Sequence, residues 1–185
     1  MKIVEPWKIF YGVVNLKDLV DVNELKDEIF NLSCLTNQED EAQSFITEDF
    51  IPSIIALRDQ HIIPAATKFM LEHYDFDGDF DRVDTNAKWI PPGEALYPHY
   101  HAGSIVSTIF YPEDSESGLN VFDPRSNACR GYPQQVRDRH FAMHKFSPRA
   151  GDLIILPSYL QHSVSYVKED VRLSLVNEFY IKNLY

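Results

Sequence analysis

The sequence predicts a mainly β domain, a sandwich or barrel whose strands are buttressed on one face by helices. Beyond Asp75, short apolar runs alternate with turn signals at Asp77-Gly78-Asp79, Pro91-Pro92-Gly93, Glu113 to Gly118 and Arg149 to Asp152. Many short strands at such spacing read as a sandwich or barrel. Helical periodicity is confined to the part before Asp75, and helices followed by strands pack as a layer against one face of the sheet. A chain of 185 residues can bury one sizeable core. A single domain over 1–185 is therefore expected, with a first strand and supporting helices in 1–75 and the β core in 76–185.

Composition narrows the class. The chain is 44% hydrophobic and 24% charged, as globular proteins are, and its formal net charge of −11 argues against nucleic-acid binding, which favours a basic surface. Met1 to Leu16 has Lys2, Glu5 and Lys8 scattered through it, unlike a signal peptide. No run approaches the roughly 18 apolar residues of a membrane span. Cys34 and Cys129 are far apart and read as thiols in a reducing compartment. A soluble cytoplasmic protein is expected.

Taken in order, Lys2 to Val14 is rich in branched and aromatic residues and predicts a strand that joins the sheet. Asp21-Val22-Asn23-Glu24 resembles a capping box, and Val22, Leu25, Ile29 and Leu32 follow at helical spacing. Gln38 to Glu41 predicts a solvated acidic loop. From Glu48 to Tyr74 the stripe Ile51, Ile55, Ile62, Ala66 and Phe69 predicts a core-facing helix, kinked or restarted at Pro64. Strands are then expected at Asn86–Ile90, His99–Tyr111, Leu119–Phe122, Ala142–Phe146, Leu153–Leu156, Ser163–Tyr166 and Arg172–Ile181.

Chemistry concentrates in three places. Tyr97 to Tyr111 reads as one strand, in which alternation turns His99 and His101 to the same face, able to meet on one metal ion. The same alternation turns Ser107, Ile109 and Tyr111 inward. His162 follows a buried apolar run that begins at Gly151-Asp152 and ends at Pro157. In Val171-Arg172-Leu173-Ser174-Leu175, alternation sets Arg172 and Ser174 opposite three apolar side chains. A guanidinium inside a strand needs an anionic partner, either a protein carboxylate or a carboxylate ligand gripped by two N–H groups.

These pieces together resemble the non-haem iron(II)- and 2-oxoglutarate-dependent oxygenases, and within them a prolyl-hydroxylase-like branch of bacterial and phage proteins. The match runs from Trp89 to Ile181 through Pro98-His99-Tyr100-His101, Val121 to Arg125, Gly151 to His162 and Arg172-Leu173-Ser174. The resemblance implies a double-stranded β-helix, a distorted jelly roll of cupin-like form, and hydroxylation of a substrate with release of succinate and CO2. It implies iron(II) on His99 and His162 and 2-oxoglutarate on Arg172 and Ser174; inward alternation adds Ser107, and Tyr111 and Tyr97 as candidate hydrogen-bond donors, to the co-substrate pocket. The superfamily at large has His-x-Asp where this chain has His99-Tyr100-His101. The third ligand is then His101, or a nearby carboxylate such as Asp123 or Glu94. The expected partners are dioxygen and a primary substrate of open identity, with a homodimer as the one protein association considered.

Pro124 to Arg149 is the main irregular insertion, with Arg125, Arg130, Arg137, Arg139, Lys145 and Arg149 against the single acid Asp138. It reads as a solvated loop or as a lid that admits an anionic substrate, and it also carries His140 and His144. Two rival readings share the fold: a cupin-like three-histidine metalloenzyme that does not use 2-oxoglutarate, and a non-enzymatic jelly-roll binding module. Arg172 and Ser174 separate the first from an oxygenase; splayed histidines would favour the second.

Overall fold

The computed structural model describes residues 9–36, 51–125, 129–168 and 171–182, with backbone alone at 34–36. Helix α1 (Val22–Thr36) starts where the sequence provides a cap: the Asp21 carboxylate accepts from the backbone N–H groups of Asn23 and Glu24 at 3.0 and 3.2 Å. Helix α2 (Pro52–Leu57) runs through a π-helical turn, Arg58–Ile62, into α3 (Ile63–Tyr74). Pro64 lies in the first turn of α3, where its missing N–H falls at an already interrupted ladder. The expected restart is therefore realised as a widened turn. The acidic stretch Gln38 to Glu41 and residues 2–8 of the first expected strand lie outside the described residues.

Two antiparallel sheets face each other. The larger has the order β1 (Gly12–Asn15), β7 (Asp152–Pro157), β4 (Val106–Phe110), β9 (Arg172–Tyr180) and β2 (Arg82–Ile90). The smaller has the order β3 (Leu96–His99), β8 (His162–Val164), β5 (Leu119–Val121) and β6 (His144–Phe146). Alternation divides the larger sheet into two cores. Val106, Phe110, Leu153, Ile155, Leu173, Leu175 and Phe179 face the helices, packed on Leu25, Ile29, Ile54, Ile62 and Phe69. Ile109, Tyr111, Ile154, Leu156 and Val176 face Leu119, Val121 and Val164 of the smaller sheet. The helices thus buttress the outer face of the larger sheet, and the space between the sheets is left for a site.

The long strand expected from Tyr97 to Tyr111 is two strands in different sheets. Ala102-Gly103-Ser104 breaks it: Gly103 has φ +90°, a left-handed conformation that glycine adopts freely, and the chain crosses there from the smaller sheet to the larger. At the β6–β7 turn, Gly151 is required for two reasons. Its φ is +84°, and a Cβ there would lie 2.6 Å from the Lys17 backbone nitrogen. The insertion after Pro124 is less irregular than expected, since it holds α4 (Gln134–His140) as well as β6.

Candidate metal centre

His99 ends β3 and is the register partner of His162 at the start of β8, so the ladder itself brings their rings to 4.5 Å between centroids. His101 reaches the same place from the corner beyond β3. Its backbone N–H donates to Ser158 O at 3.1 Å, and Ser104 Oγ lies 3.1 Å from His101 O and 2.6 Å from Ser158 Oγ. Ser107 Oγ, 2.8 Å from Ser158 Oγ, completes this small cluster of hydroxyls. The corner is therefore held by buried polar contacts. Ser158→Ala is expected to cost about 1–3 kcal/mol by stranding the other hydroxyls, measurable by urea unfolding.

One nitrogen from each of His99, His101 and His162 lies within 4.8 Å of the other two. Every ring has its Nδ1 engaged: His99 with Tyr97 O at 2.8 Å, His162 with Leu160 O at 2.9 Å, and His101 with the Glu178 carboxylate. With the proton held on Nδ1 by these acceptors, each ring keeps its Nε2 lone pair free, the arrangement seen around metal-bound histidines. His101 Nε2 and His162 Nε2 are 3.2 Å apart. Two lone pairs at that distance repel unless a cation lies between them, and it suits an ion bonded to each at about 2.1 Å. The donor set fits a divalent first-row metal.

Burial disfavours the charged form of His162 and His99. It pushes His162 down to about 4, with the nearby His99, His101 and Arg172 adding to the shift, and it lowers His99 as well. Stability should follow. In the unfolded chain His162 takes up a proton near pH 6.5, whereas in the folded chain it does so only near 4. Between those values the unfolded state binds more protons, so the free energy of unfolding falls as pH drops. The metal-free protein should lose about 2 kcal/mol through this residue between pH 7.5 and 5. Urea unfolding at both pH values should show that increment, and His162→Ala should lack it.

The rings open onto a cavity of about 490 Å³ between the sheets, walled by Ile109, Leu119, Val164 and Val176 and rimmed by Tyr97 and Tyr100. Arg172 and Ser174 line it too. Arg172 is 4% exposed, and its Nη2 donates to Tyr111 Oη at 2.7 Å. Among the described residues no carboxylate pairs with it, and its Nε has no hydrogen-bond partner. A buried guanidinium without an anion is costly, so this one is poised for an anionic ligand.

Other expected residues fall elsewhere. Ser107 shares the inward face of β4 with Ile109 but is fully covered, its hydroxyl committed to Ser158; it braces the His101 corner and does not line the cavity. Tyr111 is likewise fully buried and orients Arg172 from behind the wall. Asp123 is gripped by the Arg125 guanidinium, which holds its carboxyl below the usual range, and neither it nor Glu94 reaches the cavity. His140 is exposed on α4, and His144 Nδ1 lies 2.6 Å from Tyr11 Oη. Among its described residues, the basic insertion contributes nothing to the cavity lining. Glu178 was missed, although the alternation that pairs Arg172 with Ser174 continues through Val176 to Glu178 on the same face.

Residues 87–177 match the model of a family described as "Putative 2OG-Fe(II) oxygenase". No curated protein matches the sequence. Among solved structures, a prolyl-4-hydroxylase from Pseudomonas putida is similar at 18% identity and TM-score 0.62, over 95% of this chain and 89% of that one. AviO1 from Streptomyces viridochromogenes Tue57 is similar at 13% identity and TM-score 0.66, over 94% and 90%. HygX from Streptomyces hygroscopicus, solved with nickel and 2-oxoglutarate bound, is similar at 12% identity and TM-score 0.61, over 93% and 82%. At these identities the likeness is one of fold, the double-stranded β-helix.

Proposed function

Starting from a chain whose residues 87–177 match the model of an iron(II)- and 2-oxoglutarate-dependent oxygenase family, we propose that His99, His101 and His162 hold the iron. Arg172 and Ser174 then bind the distal carboxylate of 2-oxoglutarate, and the enzyme hydroxylates a C–H bond of a primary substrate entering past Tyr97 and Tyr100. When bound, iron and 2-oxoglutarate supply the activation of dioxygen, with oxidative decarboxylation to succinate and CO2 and transfer of one oxygen atom to the substrate.

The chain's own residues prepare that chemistry. The Nδ1 acceptors fix ring orientation and tautomer, so no proton has to leave an imidazole Nε2 before a metal binds. Tyr111 anchors the Arg172 guanidinium through one Nη2–H donated to its hydroxyl, and Ser174, 2% exposed, lies two residues on along the same face of the cavity. Ile109, Leu119, Val164 and Val176 keep the inner wall apolar, which excludes water and strengthens the charge pairing at Arg172. With a net charge of −11, a soluble cytoplasmic enzyme acting on a non-nucleic-acid substrate is the consistent setting.

The observation that carries this reading is Arg172: a buried guanidinium, unpaired with any acid among the described residues, on the same cavity as three convergent histidines. A three-histidine enzyme without 2-oxoglutarate has no use for it. Anaerobic titration of the protein with iron(II) and then 2-oxoglutarate should produce a visible metal-to-ligand charge-transfer band. No band from the folded, iron-loaded protein would dismiss the reading.

A further inference from the structure

We infer that Glu178 is the positioning residue for His101, supplying across that imidazole the negative charge that a shell of three neutral imidazoles lacks. This rests on the metal assignment above and adds a residue to it. The three histidines are not equivalent. His99 and His162 direct Nδ1 to backbone carbonyls, which are neutral acceptors, whereas His101 alone directs Nδ1 to a carboxylate. Glu178 is itself restrained, since its second oxygen accepts from Tyr180 Oη at 2.8 Å and the Arg82 guanidinium lies 4.0 Å above the Tyr180 ring. The His101 and Glu178 side chains are only 13% and 15% exposed, so their contact is sheltered from solvent screening.

The physical consequence is specific. A carboxylate on Nδ1 raises the electron-donating strength of Nε2 and locks the tautomer that presents its lone pair. Three imidazoles around a divalent ion leave its charge uncompensated, while two imidazoles and a carboxylate reduce it by one. Here the carboxylate stands behind the imidazole of His101, on β9 and on the same inward face as Arg172 and Ser174.

The test uses the metal-free full chain and Co(II) as probe. Glu178→Gln keeps shape and an acceptor oxygen but removes charge, and Glu178→Ala removes both. Co(II) affinity measured calorimetrically is expected to fall about 10-fold in the first and about 100-fold in the second. In a His101→Ala background, neither change should weaken binding further. In nitrogen-15 spectra of the metal-free protein, His101 should carry its proton on Nδ1 in the parent and in Glu178→Gln, and lose that preference in Glu178→Ala. Unchanged Co(II) affinity in both variants would overturn the inference. So would a protein that keeps its affinity in His101→Ala but loses it in Glu178→Ala, since Glu178 would then be a ligand itself. If the parent still binds Co(II) and gives the 2-oxoglutarate band, only this inference fails; a parent that takes up no metal removes it and the proposed function together.

Discussion

Arg172→Ala should raise the 2-oxoglutarate concentration needed for half-maximal charge-transfer absorbance by about 30- to 5,000-fold, the range that follows from losing one partner of a buried, hydrogen-bonded charge pair. Iron(II) affinity should be unchanged, because the histidines do not depend on the guanidinium for their orientation. Arg172→Lys should recover little: an ammonium offers a point charge where the site presents a planar fork already oriented by Tyr111. A second effect separates ligand binding from structure. Without an anion, Arg172 is a buried charge lacking an acidic partner among the described residues, so Arg172→Met should leave the stability of the ligand-free protein unchanged or higher. A large loss of stability in Arg172→Met, with 2-oxoglutarate affinity unmoved, would make the arginine structural and take away the co-substrate site.

His162→Ala should reduce iron(II) affinity by more than about 100-fold, beyond the loss expected for an outer partner of a metal ligand. His162 is the most deeply placed of the three rings, 2% exposed, and its Nε2 is the one that faces His101 Nε2 at 3.2 Å. Removing it takes away one of the three convergent nitrogen donors, and Asp123, which does not line the cavity, is held by Arg125. The charge-transfer band should vanish with the metal, while far-ultraviolet circular dichroism stays that of the parent. Equilibrium dialysis with iron(II) under anaerobic conditions measures the loss directly. Parent-like iron binding in His162→Ala would move the metal away from this cavity altogether.

Much of this site was legible before any coordinates. Two-residue alternation correctly set Arg172 and Ser174 inward and Leu173 and Leu175 outward, because a strand's pleat imposes that period whatever surrounds it. The Asp21 cap of α1 was legible for the same reason, as a contact between neighbours in sequence. The same period is interrupted between Tyr97 and Tyr111. The expected single strand ends at His99 and a turn at Ala102-Gly103-Ser104 carries the chain into the other sheet, while His99 and His101 still converge as alternation predicted. Ser107 and Tyr111 were placed on the correct face, yet depth across the wall decides whether an inward residue meets ligand or protein, and a strand's period carries no information on depth.

The sequence alone determined the residue types, their order and their local faces: a helical layer before a β core, imidazoles at 99, 101 and 162, and a guanidinium two residues before a serine on one strand. These follow from backbone geometry and side-chain chemistry, which act over a few residues. Only the tertiary structure decided that β3 pairs with β8 so that His99 meets His162, and that Glu178 stands behind His101. It also decided that Asp123 is spent on Arg125 and that Arg172 has Tyr111 as a hydrogen-bond partner and no ion pair among the described residues. Those are contacts between distant parts of the chain, set by how two sheets close around a core, and that closure depends on every strand at once.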